Sequence, residues 1–332
     1  MAAAGVTLAY STHRPETLAP AAALMRGHAT IILEEPETPG FHAMLRRELA
    51  VDEYLTVTEY EYPAFARRSA SLLRELFAEG KYIVQLDPYM DVLVSIHEFF
   101  TDGHGPSDIA PKTTQAAVYD VEHRWTKTLI HYYEASGQTD FDGLVAALIG
   151  FARRDAERGR MRDAMRAEHF ARILHKDSSA WPGPVYLEAG SIHFSLLREL
   201  VRRLDKPPRL VYLMEDVSRR VWGRRQVLGP SDVLTLLLTF FPDRAGPRPE
   251  LLAAQSLIHV KIQQKEELEE CKEEPAPHTV DEAWSAGVSM ALGYDECREL
   301  YERLKGLPTP HARRLATDYL KHINRRPVGH IA

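Results

Sequence analysis

The chain is poor in cysteine, in basic excess and in long apolar runs. It has 2 Cys among 332 residues, Cys271 and Cys297, and neither stands in a CxxC pair. A disulfide framework and a cysteine-based zinc site are therefore not expected. Lys and Arg total 41 against 47 Asp and Glu, for a net charge of −6. That balance speaks against non-specific nucleic-acid binding, which runs on phosphate neutralisation. The longest apolar run, 233–241 (VLTLLLTFF), is too short to cross a bilayer, so no membrane role is expected. Residues 1–13 lack a basic start and a long apolar stretch, so a signal peptide is not expected and the cytoplasm is the expected compartment. The chain has no internal repeat and no low-complexity tract.

What remains is a globular composition, 45% hydrophobic and 27% charged. The length exceeds one ordinary core, so an α/β domain with a helical insertion, or two domains, is expected. Short β-branched or apolar runs at 6–10 (VTLAY), 30–33 (TIIL) and 82–86 (YIVQL) alternate with helical stretches at 17–25, 41–49 and 64–78. Such alternation predicts a parallel sheet with right-handed crossovers. Residues 89–177 show no strand pattern and read as helices, with loops near 103–111 and 136–142. Strands resume at 185–187 (VYL) and 210–213 (LVYL), with a helix at 194–204 between them. Beyond them the chain is helical. Ser231-Asp232 caps one helix, 257–274 forms a charged one, and Thr279 with Glu282 makes a capping-box pattern. The expected class is α/β, a mostly parallel central sheet flanked by helices, with a large helical insertion and a helical C-terminal region. The expected division is 1–88, three strands of a first α/β half; 89–177, the insertion; 178–245, a second α/β part; and 246–332, the helical C-terminal region.

Ligands of open parallel sheets bind beyond the carboxyl ends of the strands. Here those ends are polar: His13 after the first, Glu34 and Glu35 after the second, Asp87 after the third, Glu188 and His193 at the fourth. Two imidazoles and several carboxylates on one rim suit either of two chemistries. They can hold a divalent metal, since a His/His/Glu set is a catalytic-zinc composition that Mn or Co also tolerates. They can also do general acid/base work, because a carboxylate beside a histidine orients it and raises its pKa.

Each residue also has a plainer reading. His13 and His193 can serve as helix-entry residues, Asp87 before Pro88 as a turn residue, and His42 as a surface histidine. Glu34 and Glu35 point to opposite faces if the strand runs through both, so one faces the site. The small residues after Gly190 favour close backbone approach to a ligand. Arg162 and Asp163 lie in a charge-rich helix, most of which must be a solvated face. An arginine reaching the site could hold a carboxylate or a developing oxyanion. The run SRRVWGRRQ, with Arg219, Arg220, Arg224 and Arg225, more simply pairs with neighbouring carboxylates.

The stretches VTLAYSTHRPET, ATIILEEPETPGFHAML and VYLEAGSIHFSLL resemble the TraB/PrgY/TIKI superfamily, which is related to ChaN-like haem-binding proteins and erythromycin esterases. That family's pattern is a strand ending in Gly-x-x-His, a strand ending in Glu about twenty residues later, and a second Gly-x-x-His far downstream. Here these fall on Tyr10-Ser11-Thr12-His13, Glu34 and Gly190-Ser191-Ile192-His193. The segment MRDAMRAEHFARIL resembles the family's Arg-Asp segment, at Arg162 and Asp163, and VQLDPYMDVL its third-strand segment around Asp87. The resemblance spans roughly residues 6–204 and departs at Tyr10, where the family has Gly; a side chain there is expected to crowd the rim.

The resemblance implies that His13, Glu34 and His193 form a site, catalytic or metal-binding. Glu35, Arg162, Asp163 and Gly190 would bind substrate. The implied activity is hydrolysis of an ester or amide, in a small molecule or a peptide, assisted by Mn, Co or Zn or run by a general base. Alternatives are a non-catalytic haem- or metal-binding protein and a regulatory interaction module. A homo-oligomer is compatible with each.

Overall fold

A computed structural model of the chain describes residues 5–56, 62–138, 140–176 and 181–329. It divides the protein into two compact units, residues 1–121 with 159–213 and residues 122–158 with 214–332. Among the described residues, no helix is long and apolar enough to cross a membrane.

The first unit carries one five-stranded sheet: β1 (Val6–Ser11), β2 (Thr30–Leu33), β3 (Tyr82–Gln85), β4 (Val185–Gly190) and β5 (Arg209–Tyr212), in the order β3-β2-β4-β1-β5. Every pairing is parallel. The all-parallel sheet flanked by helices is the fold class read from the sequence. Its helices are α1 (Leu18–Arg26), α2 (Phe41–Leu45), α3 (Val51–Leu55), α4 (Pro63–Ala78) and α5 (Pro88–Thr101), then parts of α6 (Thr114–Gln138) and α7 (Phe141–Lys176), and α8 (Phe194–Arg203).

The strand order fixes where a site can form. After β1 the chain moves toward β2 and β3; after β4 it moves the other way, to β5. Right-handed crossovers in opposite directions put the following helices on opposite faces. The buried clusters follow this rule. On one face Ala9, Ile31, Leu33, Ile83 and Tyr186 pack with residues of α1, α2 and α4, including Met25, Phe41 and Leu73. On the other, Leu8, Tyr10, Ile32, Val185, Leu187 and Ala189 pack with Ala167 and Phe170 of α7 and Leu196 and Leu200 of α8. Since β4 lies between β1 and β2, the carboxyl ends of β1 and β4 form the switch point where such sheets open a crevice.

The second unit holds part of α6 and of α7, with α9 (Glu215–Trp222), α10 (Pro230–Phe240), α11 (Pro247–Ile262), α12 (Pro277–Met290), α13 (Tyr294–Leu304) and α14 (Thr309–His322). Its main cluster centres on α11, whose Ala253, Ala254, Leu257 and Ile258 are buried among residues of α10, α13 and α14.

Several element boundaries differ from the sequence reading. The helix expected over 41–49 stops at Leu45, and the turn after it holds Arg47 at φ 65°. The helix expected over 257–274 ends at Ile262. Beyond it a Glu-rich stretch sets like charges three and four residues apart, which disfavours a helix. Its backbone amides are used elsewhere: Gln264 N–H donates to Asp281 Oδ2 at 3.0 Å and Leu268 N–H to His278 Nε2 at 2.8 Å. Thr279 and Glu282 lie inside α12, which starts at Pro277, so the N-cap position falls on Ala276 and not on Thr279. Asp232 does close the start of α10, accepting from Gly229 N–H at 3.0 Å. The strand-free stretch from α5 through α7 is as expected. Of the expected loop 136–142, residue 139 lies outside the described residues, as do 177–180 at the start of the second α/β part and residues 1–4 of the N-terminus.

Candidate functional site

Glu34 directly follows β2, and both its carboxylate oxygens are held. His193 Nε2 lies 2.9 Å from Oε1, and Gly190 N–H donates to Oε2. Arg162 Nη2 stands 3.3 Å from Oε1 and Arg166 Nη1 3.6 Å from Oε2. Burial alone would push this carboxyl up, but the imidazolium of His193 and the guanidiniums of Arg166 and Arg162 hold it well below the usual carboxylate range.

His193 is fixed on its other side as well. Its Nδ1 is 2.5 Å from Asp163 Oδ1, and Ser195 Oγ donates to Asp163 Oδ2. Burial works against the charged ring, yet Glu34 and Asp163 raise its pKa to about 10. At neutral pH His193 is therefore a cation between two carboxylates, with both ring nitrogens occupied. The glycine of the second motif has a direct cause: a Cβ on Gly190 would stand 3.2 Å from His193 Cδ2 and 3.5 Å from Glu34 Oε2.

Asp87 completes the buried set. It accepts from Met90 N–H at 3.2 Å, capping α5, and takes Arg162 Nε at 2.6 Å and Nη2 at 2.5 Å on Oδ2. Arg166, one helical turn on, is 1% exposed and donates Nε–H to Leu86 O at 3.0 Å. Three carboxylates (Glu34, Asp87, Asp163) thus face three cations (Arg162, Arg166, His193), and the network is charge-neutral. It ties the ends of β2, β3 and β4 to α7 and α8.

His13 belongs to a different part of the rim. It follows β1 at φ 53°, in the left-handed region, which is uncommon for a residue with a Cβ. Its N–H donates to Ser11 Oγ at 3.1 Å. The side chain is 39% exposed, with Nε2 3.8 Å from Glu188 Oε1. Glu188 sits on β4 opposite Ala9. Burial raises its pKa; His13 works against that, and Glu35 and Glu34 add to the rise.

The structure thus joins Glu34 and His193 directly, and places His13 beside Glu188 instead. Arg162 keeps 20% of its side chain exposed, whereas Asp163 is buried with both oxygens taken, which suits holding His193 rather than meeting a substrate. Glu35 accepts from Gln85 Nε2 at 2.8 Å. Tyr10 does not crowd the rim as expected. Its ring points into the opposite-face core, 5.1 Å from the ring of Phe194, and its hydroxyl donates to His193 O at 3.1 Å. His42 packs against Phe41 on the surface. In the second unit, Arg219 and Arg225 both pair with Glu215.

Arg166 and Ser195 escaped the sequence reading, and a signal for the former existed. Asp163, Arg166, Ala167 and Phe170 follow the i, i+3, i+4, i+7 spacing of a buried helical stripe, and all four are buried. Two opposite charges on an apolar stripe must find partners inside the protein.

The donor set does not fit a metal ion. Among the described residues, no group of three or more His, Cys, Asp or Glu side chains is arranged to hold one. His193 has no ring lone pair to offer while it bonds two carboxylates, and two guanidiniums crowd Glu34, where a divalent cation would be repelled.

An uncharacterised protein from Archaeoglobus fulgidus is 26% identical over 294 residues, covering 89% of this chain and 97% of its own length. No family model matches the chain, and no solved structure does.

Proposed function

We propose that the rim hydrolyses an ester or amide by general-base catalysis without a metal. One observation carries this reading: His13 is a solvent-reachable imidazole at the switch point of a parallel sheet, 3.8 Å from the carboxyl of Glu188, which in turn feels the charges of Glu34 and Arg166. With Nε2 turned to Glu188, Nδ1 is the nitrogen left for water. It takes a proton from that water as the oxygen attacks the carbonyl carbon. The tetrahedral oxyanion forms near Arg162, whose cation stabilises it. When the intermediate collapses, the bond to the leaving oxygen or nitrogen breaks and the proton on His13 passes to that atom, giving acid plus alcohol or amine. Glu188 orients the ring, and the 3.8 Å gap must shorten to hydrogen-bond length in the substrate complex. Glu34 and His193 are positioning residues that hold β2, β4 and α7 in register around the base.

The test is hydrolysis of 4-nitrophenyl acetate and an aryl amide by the purified chain, before and after dialysis against a chelator. His13→Ala should lower kcat/KM by about 10²–10⁴ and leave the thermal midpoint near that of the wild type, since the ring is partly exposed. Unchanged activity in His13→Ala, loss of activity on chelation, or no hydrolysis of either substrate overturns the proposal.

A further inference from the structure

Beside His13 the first unit opens a small apolar cleft of ≈ 50 Å³ between α2, α3 and α4. Phe41 and Met44 come from α2, Tyr54 from α3, Phe65 and Leu73 from α4, and Glu35 stands at the β2 end. The cleft is continuous with the rim at two points. The Phe65 ring lies 5.8 Å from the ring of His13, and Glu35 directly follows Glu34. No lysine, arginine or histidine is among the described lining residues.

We propose that this cleft receives the short neutral acyl chain of the substrate whose carbonyl stands at His13, and so sets the specificity of the hydrolysis. The inference rests on the general-base reading and adds the substrate class. The cleft is small, ≈ 50 Å³, well under the about 300 Å³ at which pockets for whole ligands begin. It therefore takes only a few methylenes, with the remainder of the substrate left over the rim. The lining is apolar on α2, α3 and α4, so burial of methylenes drives binding. Among the described lining residues Glu35 is the one acidic side chain and none is basic, so a chain ending in a carboxylate is disfavoured. Glu35 was read from the sequence as a substrate-binding residue; in the cleft its part is exclusion of anions. Geometry makes the apolar group a handle: a chain seated against Phe65 brings the attached carbonyl toward the neighbouring imidazole, the kind of orientation that effective molarity measures.

The experiment compares 4-nitrophenyl acetate, butyrate, hexanoate and the monoester of adipic acid. Each added methylene should raise kcat/KM up to roughly fourfold until the cleft is full, and the adipate should fall below the hexanoate. Ser69, which also lines the cleft, is partly exposed, so Ser69→Trp can fill the space from the solvent side. It should reduce the hexanoate-to-acetate ratio by at least about tenfold. A flat wild-type series, an adipate ester equal to the hexanoate, or a ratio untouched by a folded Ser69→Trp overturns the inference and leaves the base assignment standing. If Ser69→Trp does not fold, the wild-type series decides alone. If no ester is hydrolysed, the activity reading fails and the cleft is judged by binding of non-hydrolysable methyl ketones, butan-2-one to octan-2-one. Affinity rising with chain length supports the apolar cleft; affinity independent of length overturns it.

Discussion

Replacing Asp163 with Asn tests whether the buried charges act as one set. The substitution keeps shape but removes one of the two carboxylates that hold His193. In the wild type that ring keeps its proton up to about pH 10, against its usual 6.5. Between those values the folded chain binds a proton that the unfolded chain has released. Stability from this group is therefore complete below pH 6.5, declines as pH rises, and is gone above about 10. The interval is about 3.5 pH units, and at 1.36 kcal/mol for each the ceiling is about 5 kcal/mol. Asp163→Asn leaves three cations facing two carboxylates. Removing one partner of a buried pair costs about 3–5 kcal/mol, unless His193 sheds its proton, which forfeits the same linkage. The variant should thus be less stable than the wild type by about 3 kcal/mol at neutral pH. The gap should narrow as pH approaches 10, where the wild type loses the proton too. Urea unfolding followed by Trp181, buried in the first unit against Phe170, measures both across the window. A wild-type stability flat from neutral pH to 10, or a variant deficit that persists undiminished at the alkaline end, refutes the reasoning.

Other perturbations probe the same set from different sides. Gly190→Ala places a methyl 3.2 Å from His193 Cδ2; overpacking of this kind costs about 1–3 kcal/mol, and a proton-resolved titration should show the His193 pKa moving down as the ring is pushed from Glu34. Arg162→Met leaves Asp87, fully buried, without its cation; a loss of about 3–5 kcal/mol in denaturant unfolding is expected, and a thermally neutral variant would contradict the pairing. Glu188→Gln should leave the network's stability within about 1 kcal/mol, because Glu188 is not among its members, while lowering ester hydrolysis through its hold on His13; kinetics and melting measured on one sample separate the two effects.

The sheet was legible because its strands are short apolar runs that stop abruptly at polar residues, and period and length alone mark them. The polar ends were legible for the same reason. Which ends meet was not, because that depends on strand order. Nothing local in VYLEAG says that β4 inserts between β1 and β2, and this insertion sets Glu188, not Glu34, beside His13. Tyr10 shows the complementary limit. Its place in a motif suggested crowding of the rim, but residues alternate faces along a strand, and position 10 faces the core that α7 and α8 cover. The long helix α7 hid its role among exposed charges such as Arg154 and Glu168. Only the stripe of Asp163, Arg166, Ala167 and Phe170 separates the buried charges from the solvated ones.

The division of labour on the rim follows from this geometry. A histidine held between two carboxylates, which raise its pKa to about 10, has both ring nitrogens engaged, and this suits it to holding the rim together rather than to passing protons. It can fix a lattice of backbone and side chains, because every partner is charged and buried and each is costly to misplace. A histidine that exchanges protons needs the opposite surroundings: contact with solvent, one ring nitrogen unoccupied, and a single carboxyl near the other. Of the two imidazoles read from the sequence, only His13 has those surroundings. The positive φ that aims it also makes position 13 sensitive. A β-branched residue there meets strain at φ 53°, whereas Asn tolerates that conformation and removes the imidazole. His13→Asn should therefore melt with the wild type while losing the pH-dependent part of its hydrolysis. A His13→Asn variant that kept the wild-type pH–rate profile would move the base elsewhere.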